Sequence, residues 1–116
     1  MNIDLSYLED ITGGDKEMII EMLDLFIEDI PKQVTLVKEL AEKQDLEMLA
    51  RETHKLKPTL QYVGLFEIYE VIKELELLSK SGEFSPAINP SAIKAYTLCK
   101  EALPSLIKKR DELINL

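Results

Sequence analysis

Cysteine occurs once in the 116 residues, at Cys99, and histidine once, at His54. A single thiol makes neither an internal disulfide nor a multi-thiolate metal centre, and with one imidazole the set is too poor for zinc. Positive charge is in deficit: 14 lysines and arginines stand against 22 acids, a formal net charge of −8. That balance argues against binding nucleic acid by phosphate neutralisation. No apolar run approaches the roughly 20 residues needed to span a bilayer. The opening, MNIDLSYLED, carries acids where an export signal carries bases and then an apolar stretch. Glycine is confined to Gly13, Gly14, Gly64 and Gly82, and β-branched alternation is missing, so no strand is expected. The glycine loops that cradle nucleotide phosphates are absent, which argues against a kinase domain. A chain of this length that is 46% apolar has enough to build one core. The expectation is a single soluble, cytoplasmic domain over residues 1–116, without a metal site or a cofactor of its own.

The segments between the glycines are rich in Leu, Ile, Glu and Lys, which favour helix. Asp4 to Ile11 reads as a short opening helix, broken by Gly13 and Gly14. Asp15 caps a long helix whose apolar positions Ile19, Leu23, Phe26, Ile30, Val34, Val37 and Leu40 step by three or four. Pro31 within that stripe predicts a bend rather than a stop. After a break near Gln44, Asp45 caps a helix with Leu46, Leu49, Thr53, Leu56, Leu60 and Val63 on one side, ending at Gly64. Leu65, Ile68, Ile72, Leu75 and Leu78 carry the next helix to about Ser81 and Gly82. Glu83 to Asn89 reads as a loop, with Asn89 or Ser91 capping the last helix and Pro90 in its first turn. Ala92, Tyr96, Cys99, Leu103 and Leu106 form its stripe, Pro104 bends it, and Lys108, Lys109 and Arg110 lie near its end. Short connections make neighbouring helices antiparallel. The expected fold is all-α: an up-down-up-down four-helix bundle with a short extra N-terminal helix.

His54 is the informative residue. At about 100° per residue, Leu56 lies about 200° away from it, on the side of Leu49, Leu60 and Val63. The imidazole therefore faces away from the core. Arg51, Lys57 and Gln61, at offsets of three, three and seven, fall on or beside its face. Residues 1–50 hold 13 acids and 4 bases, whereas Arg51, Lys55 and Lys57 oppose Glu52 alone in the next seven. A basic spot thus surrounds the only imidazole of an acidic chain. Neutral imidazole is a nucleophile near pH 7, and an adjacent ammonium can hold a phosphoryl oxygen. An exposed histidine among lysines is, on spacing alone, usually an ordinary solvated face. No carboxylate stands at a spacing that would orient the ring as in a hydrolase triad. Glu74 and Glu76 read as solvated, Met18, Met22 and Met48 as packing residues, and Cys99 as a buried small hydrophobe.

The run from Thr53 to Leu65, THKLKPTLQYVGL, resembles the signature of histidine-containing phosphotransfer (HPt) domains. That signature has a leucine two residues after the histidine, a lysine three after, a small residue, a Ser, Thr or Ala, and a glycine ten after. Here these are His54, Leu56, Lys57, Pro58, Thr59 and Gly64. The stretch Leu23 to Pro31 is similar to the family's second helix, and the likeness spans nearly the whole chain. Pro58 departs from the glycine usual at its position; its ring is larger, bears on partner choice, and frees the carbonyl of His54.

The resemblance implies a phosphorelay intermediate rather than an ATP-dependent enzyme. His54 would accept a phosphoryl group from a receiver-domain aspartate and pass it to another, with Lys57 neutralising phosphoryl oxygens. Arg51, Lys55, Pro58, Gln61 and Gly64 would meet the partner, and Tyr62 and the second helix are further candidates for its edge. The implied partners are a response-regulator receiver domain and a hybrid sensor histidine kinase, with Mg2+ supplied by the receiver. The chain is expected to be a monomer, with neither nucleic acid nor membrane as partner, and its Met1 points to a free shuttle. The alternatives are a helical interaction module without phosphoryl chemistry, and a di-iron bundle. The latter needs Glu-x-x-His pairs, and Arg51 stands three before the only histidine.

Overall fold

A computed structural model describes residues 2–116. Its helices are α1 (Ser6–Thr12), α2 (Lys16–Glu42), α3 (Leu46–Tyr62), α4 (Phe66–Lys80) and α5 (Ile88–Ile114). Asp15 and Asp45 cap α2 and α3, their carboxylates accepting from the amides of Met18 and Met48 at 3.2 Å. Gln44 closes the tight α2–α3 connection at φ 59°. The first helix begins at Ser6 rather than Asp4, because the Asp4 carboxylate gathers the Ser6 amide at 2.9 Å and its hydroxyl at 2.6 Å. Pro31, Pro58 and Pro104 all lie inside helices that continue through them.

The last helix departs most from the sequence reading. It starts at Ile88, capped at Ala87 without a side-chain hydrogen bond, so Asn89 and Ser91 belong to its first turn and cap nothing. Ile88 is buried and draws the end of the loop onto the core. Pro90 sits where the missing N–H leaves no intrahelical bond unmade. The helix also runs on to Ile114, which puts Arg110 about a turn inside its end. There Arg110 donates to Asp24 of α2 at 2.9 Å and to Asp111 at 3.1 Å.

Within the bundle α2 packs on α3 and α5, and α4 on the same two, while α1 folds against α2 and α3. This is the up-down-up-down ring expected from short connections. The 27-residue helices α2 and α5 outrun the 17 and 15 residues of α3 and α4, and the molecule measures 49 × 23 × 18 Å. The expected stripe of α2 is buried throughout, as are Leu49, Leu56, Leu60 and Val63 of the α3 region and Ile68, Ile72 and Leu75 of α4. Each such side chain contributes about 1.5–3 kcal/mol by leaving water. Leu46, Leu78, Tyr96 and Leu103 are half-buried at the stripe margins. Met18 is 46% exposed, not packed, because Ile19 takes the first core position of α2. Cys99 is buried, and burial pushes its thiol up to about 12.

Gly64 links the α3–α4 turn to the N-terminal segment. Its φ is +70°, and a Cβ there would collide with the backbone and Cβ of Asp4. The Asp4 amide donates to the Val63 carbonyl at 3.3 Å across the same contact. Gly64→Ala is therefore expected to destabilise by about 2–4 kcal/mol, lowering the melting temperature by about 10 °C. Gly13→Ala, with a similar φ of +65° but nothing within 4 Å, should lose only the backbone share, about 1 kcal/mol. Equal losses in thermal denaturation of the two variants would remove the Asp4 contact from the account.

Candidate functional site

The outer face of α3 presents His54, whose side chain is 71% exposed, while Leu56 on the opposite side is fully buried. The ring is not free, however. Its Nδ1 lies 2.8 Å from Oε2 of Glu76 on α4. Glu76 is only 3% exposed and takes Lys57 Nζ on its other oxygen, Oε1, at 2.7 Å. Lys80, one turn along α4, approaches Oε2 at 3.4 Å. One buried carboxylate thus joins the imidazole to two ammonium groups.

This corrects the expectation that Glu76 is a solvated surface residue and that no carboxylate orients the ring. Glu76 follows Ile68 and Ile72 at intervals of four, on the inward-facing side of α4, and the antiparallel turn at Gly64 sets it opposite His54. Its burial is tolerable because each oxygen has a cationic or ring donor. Burial pushes the carboxyl up. The hydrogen bonds from Lys57 and His54, with the charges of Lys57 and Lys80, more than offset this and hold it below the ordinary glutamate value.

A carboxylate with a depressed folded-state value stabilises the fold above the unfolded-state value, about 4.3, and loses that contribution as pH falls through the folded one. The stability difference between the wild type and Glu76→Gln is accordingly expected to favour the wild type near neutrality and to shrink as pH falls below about 4. Urea denaturation at pH 7 and pH 3 measures it; a difference independent of pH would detach Glu76 from the ion-pair network.

The network also favours one tautomer of the ring. The ionised Glu76 only accepts, so the hydrogen belongs on Nδ1, and in the neutral ring Nε2 keeps a lone pair. The site therefore offers an exposed nitrogen nucleophile beside an ammonium.

The remaining residues singled out in the sequence divide into two groups. Arg51, Lys55, Pro58 and Gln61 are exposed on α3. Lys57 lies about 60° from His54 toward α4, where it meets Glu76, and Pro58 about 40° to the other side. Arg51 rests its guanidinium 3.8 Å from Met48 Sδ, and Lys55 has no ion-pair partner among the described residues. Gly64, by contrast, is buried beneath the chain's own N-terminal segment. It presents little surface to a visitor, and its lack of a side chain serves internal packing. Tyr62 is half-buried, stacked between Tyr7 and Phe26 with ring centroids 5.6 and 5.8 Å away. It joins α1, α2 and α3 at one end of the face. No helix of the described residues is long and apolar enough to cross a membrane.

Comparison with protein families matches the Hpt domain over residues 21–107. No curated protein and no solved structure matches the chain.

Proposed function

The chain belongs to the Hpt domain family, whose members are phosphotransfer intermediates of two-component systems rather than kinases, and we propose that it is a phosphorelay shuttle that carries its phosphoryl group on Nε2 of His54. The observation that supports this most is the division of the ring. Nδ1 is held at 2.8 Å by a buried carboxylate, and the imidazole is otherwise 71% exposed.

In the proposed reaction the Nε2 lone pair attacks the phosphorus of an aspartyl phosphate on a receiver domain. The Nε2–P bond forms as the P–O bond to the aspartyl carboxyl breaks, and that carboxylate leaves with the electron pair. The ring becomes positively charged, with its Nδ1 hydrogen still shared with Glu76, and Lys57 faces the incoming phosphoryl oxygens. Transfer to a second receiver aspartate is the same step in reverse. Positioning and charge stabilisation suffice for such a reaction.

Hpt domains act with receiver domains and kinases of phosphorelays. For this chain we take a response-regulator receiver and a hybrid sensor kinase as partners, with Mg2+ belonging to the receiver. Arg51, Lys55, Pro58 and Gln61 line the face they meet. The shuttle works as a cytoplasmic monomer, since that face must stay open.

Incubation with a panel of phosphorylated receiver domains tests the proposal. The expected result is label on this chain that is acid-labile and base-stable. Complete absence of label with every receiver would favour an interaction module without phosphoryl chemistry.

A further inference from the structure

We propose that Lys80 is a positioning residue that holds Glu76 while Lys57 moves from that carboxylate to the arriving phosphoryl group, an inference that rests on the relay reading above. Two ammonium groups share one buried carboxylate here, and they do so unequally. Lys57 is bound to Oε1 at 2.7 Å and is only 21% exposed. Lys80 is 3.4 Å from Oε2, the oxygen already bound to the imidazole, and is 57% exposed. They also come from opposite ends. Lys57 lies one turn beyond His54 on α3, Lys80 one turn beyond Glu76 on α4, and these helices run antiparallel.

Before transfer the site carries one positive charge in excess. A phosphoryl group on a ring nitrogen brings nearly two negative charges at pH 7, while the ring itself becomes positive. With both lysines present, the loaded site is neutral. Lys57 is the ammonium on the histidine's own helix, within a turn of Nε2, and reaching phosphoryl oxygen strips Oε1 of its donor. A carboxylate that is 3% exposed cannot be left without a cation cheaply. Lys80 removes that obstacle. Its flexible stem is anchored one turn from Glu76, and it closes onto the carboxylate as Lys57 departs. The spare cation thus has a role that neither a surface ion pair nor a partner contact explains.

The test uses the full chain with phosphoramidate as donor, so that no partner surface contributes. In this reaction Nε2–P forms, the donor P–N bond breaks and ammonia leaves. Labelling of His54 is followed by phosphorus NMR. Lys80→Ala is expected to slow labelling about fivefold, and Lys57→Ala about tenfold. Lys80→Arg should recover most of the loss. In a Glu76→Ala background, where no buried charge needs holding, Lys80→Ala should have no further effect. Circular dichroism checks that each variant is folded. An unchanged labelling rate in Lys80→Ala, or a Lys80→Ala effect that persists without Glu76, overturns the hand-over while leaving the relay reading intact. A wild-type chain that takes no label on His54 overturns the relay reading and the hand-over with it.

Discussion

Replacing His54 by glutamine is expected to leave the bundle folded and to abolish acceptance of a phosphoryl group, by at least about a thousandfold. The separation of the two effects follows from the side chain's position. Its side chain is 71% exposed and makes one hydrogen bond, to Glu76. Losing that bond costs about 1.5–3 kcal/mol at most, since Lys57 and Lys80 still hold the carboxylate. The chemistry has no comparable reserve, because His54 is the only histidine in the chain and an amide nitrogen has no lone pair to give. Labelling from phosphorylated receivers, with circular dichroism on the same samples, measures both. Undiminished label on the folded variant would move the acceptor to another residue.

The second expected result concerns Glu76 and runs against the usual ranking of substitutions. Glutamine at position 76 preserves shape, yet it should impair phosphoryl acceptance more than alanine does. Lys57 is a pure donor and makes the shorter of the two lysine contacts, so it draws the amide oxygen of Gln into the place of Oε1, where it now sits at 2.7 Å against 3.4 Å for Lys80 at Oε2. The amide NH2 then faces Nδ1, 2.8 Å away in the wild type, and donates to it. That forces the ring hydrogen onto Nε2 and removes the attacking lone pair. Glu76→Gln is expected to lose about a hundredfold or more, as when a triad carboxylate becomes an amide. Glu76→Ala leaves the ring to choose its own tautomer and should lose about tenfold. Single-turnover labelling of the two variants decides the matter. Alanine falling below glutamine would show that Glu76 acts by shape rather than by fixing the proton.

Much of this was legible from residue order, and the reasons for the rest are physical. The stripe from Ile19 to Leu40 is buried as its spacing required, because a single helix repeats with a known period. The outward direction of His54 follows from the same arithmetic through Leu56. Glu76 escaped because one helix considered alone says nothing about its neighbour. The signal was nevertheless present: His54 and Glu76 each stand 11 residues from Leu65, at the turn of an antiparallel hairpin, so folding the chain there sets them face to face. Lys80 follows at once as the residue one turn further. The start of α5 was misplaced because capping preference favoured Asn89 and Ser91, whereas burial of Ile88 decided it. Gly64 was legible as a residue for positive φ, but its contact with Asp4 joins segments 60 residues apart. No local pattern carries such a contact.

Phosphoryl acceptance by His54 turns on which ring nitrogen is available. Nitrogen-15 NMR of the imidazole, recorded before and after phosphorylation of the full chain, reads this directly. The expected spectrum shows a hydrogen on Nδ1 throughout and phosphorus coupled to Nε2 alone. Phosphorus on Nδ1, or a resting ring with its hydrogen on Nε2, would contradict the role assigned to Glu76 and with it the mechanism.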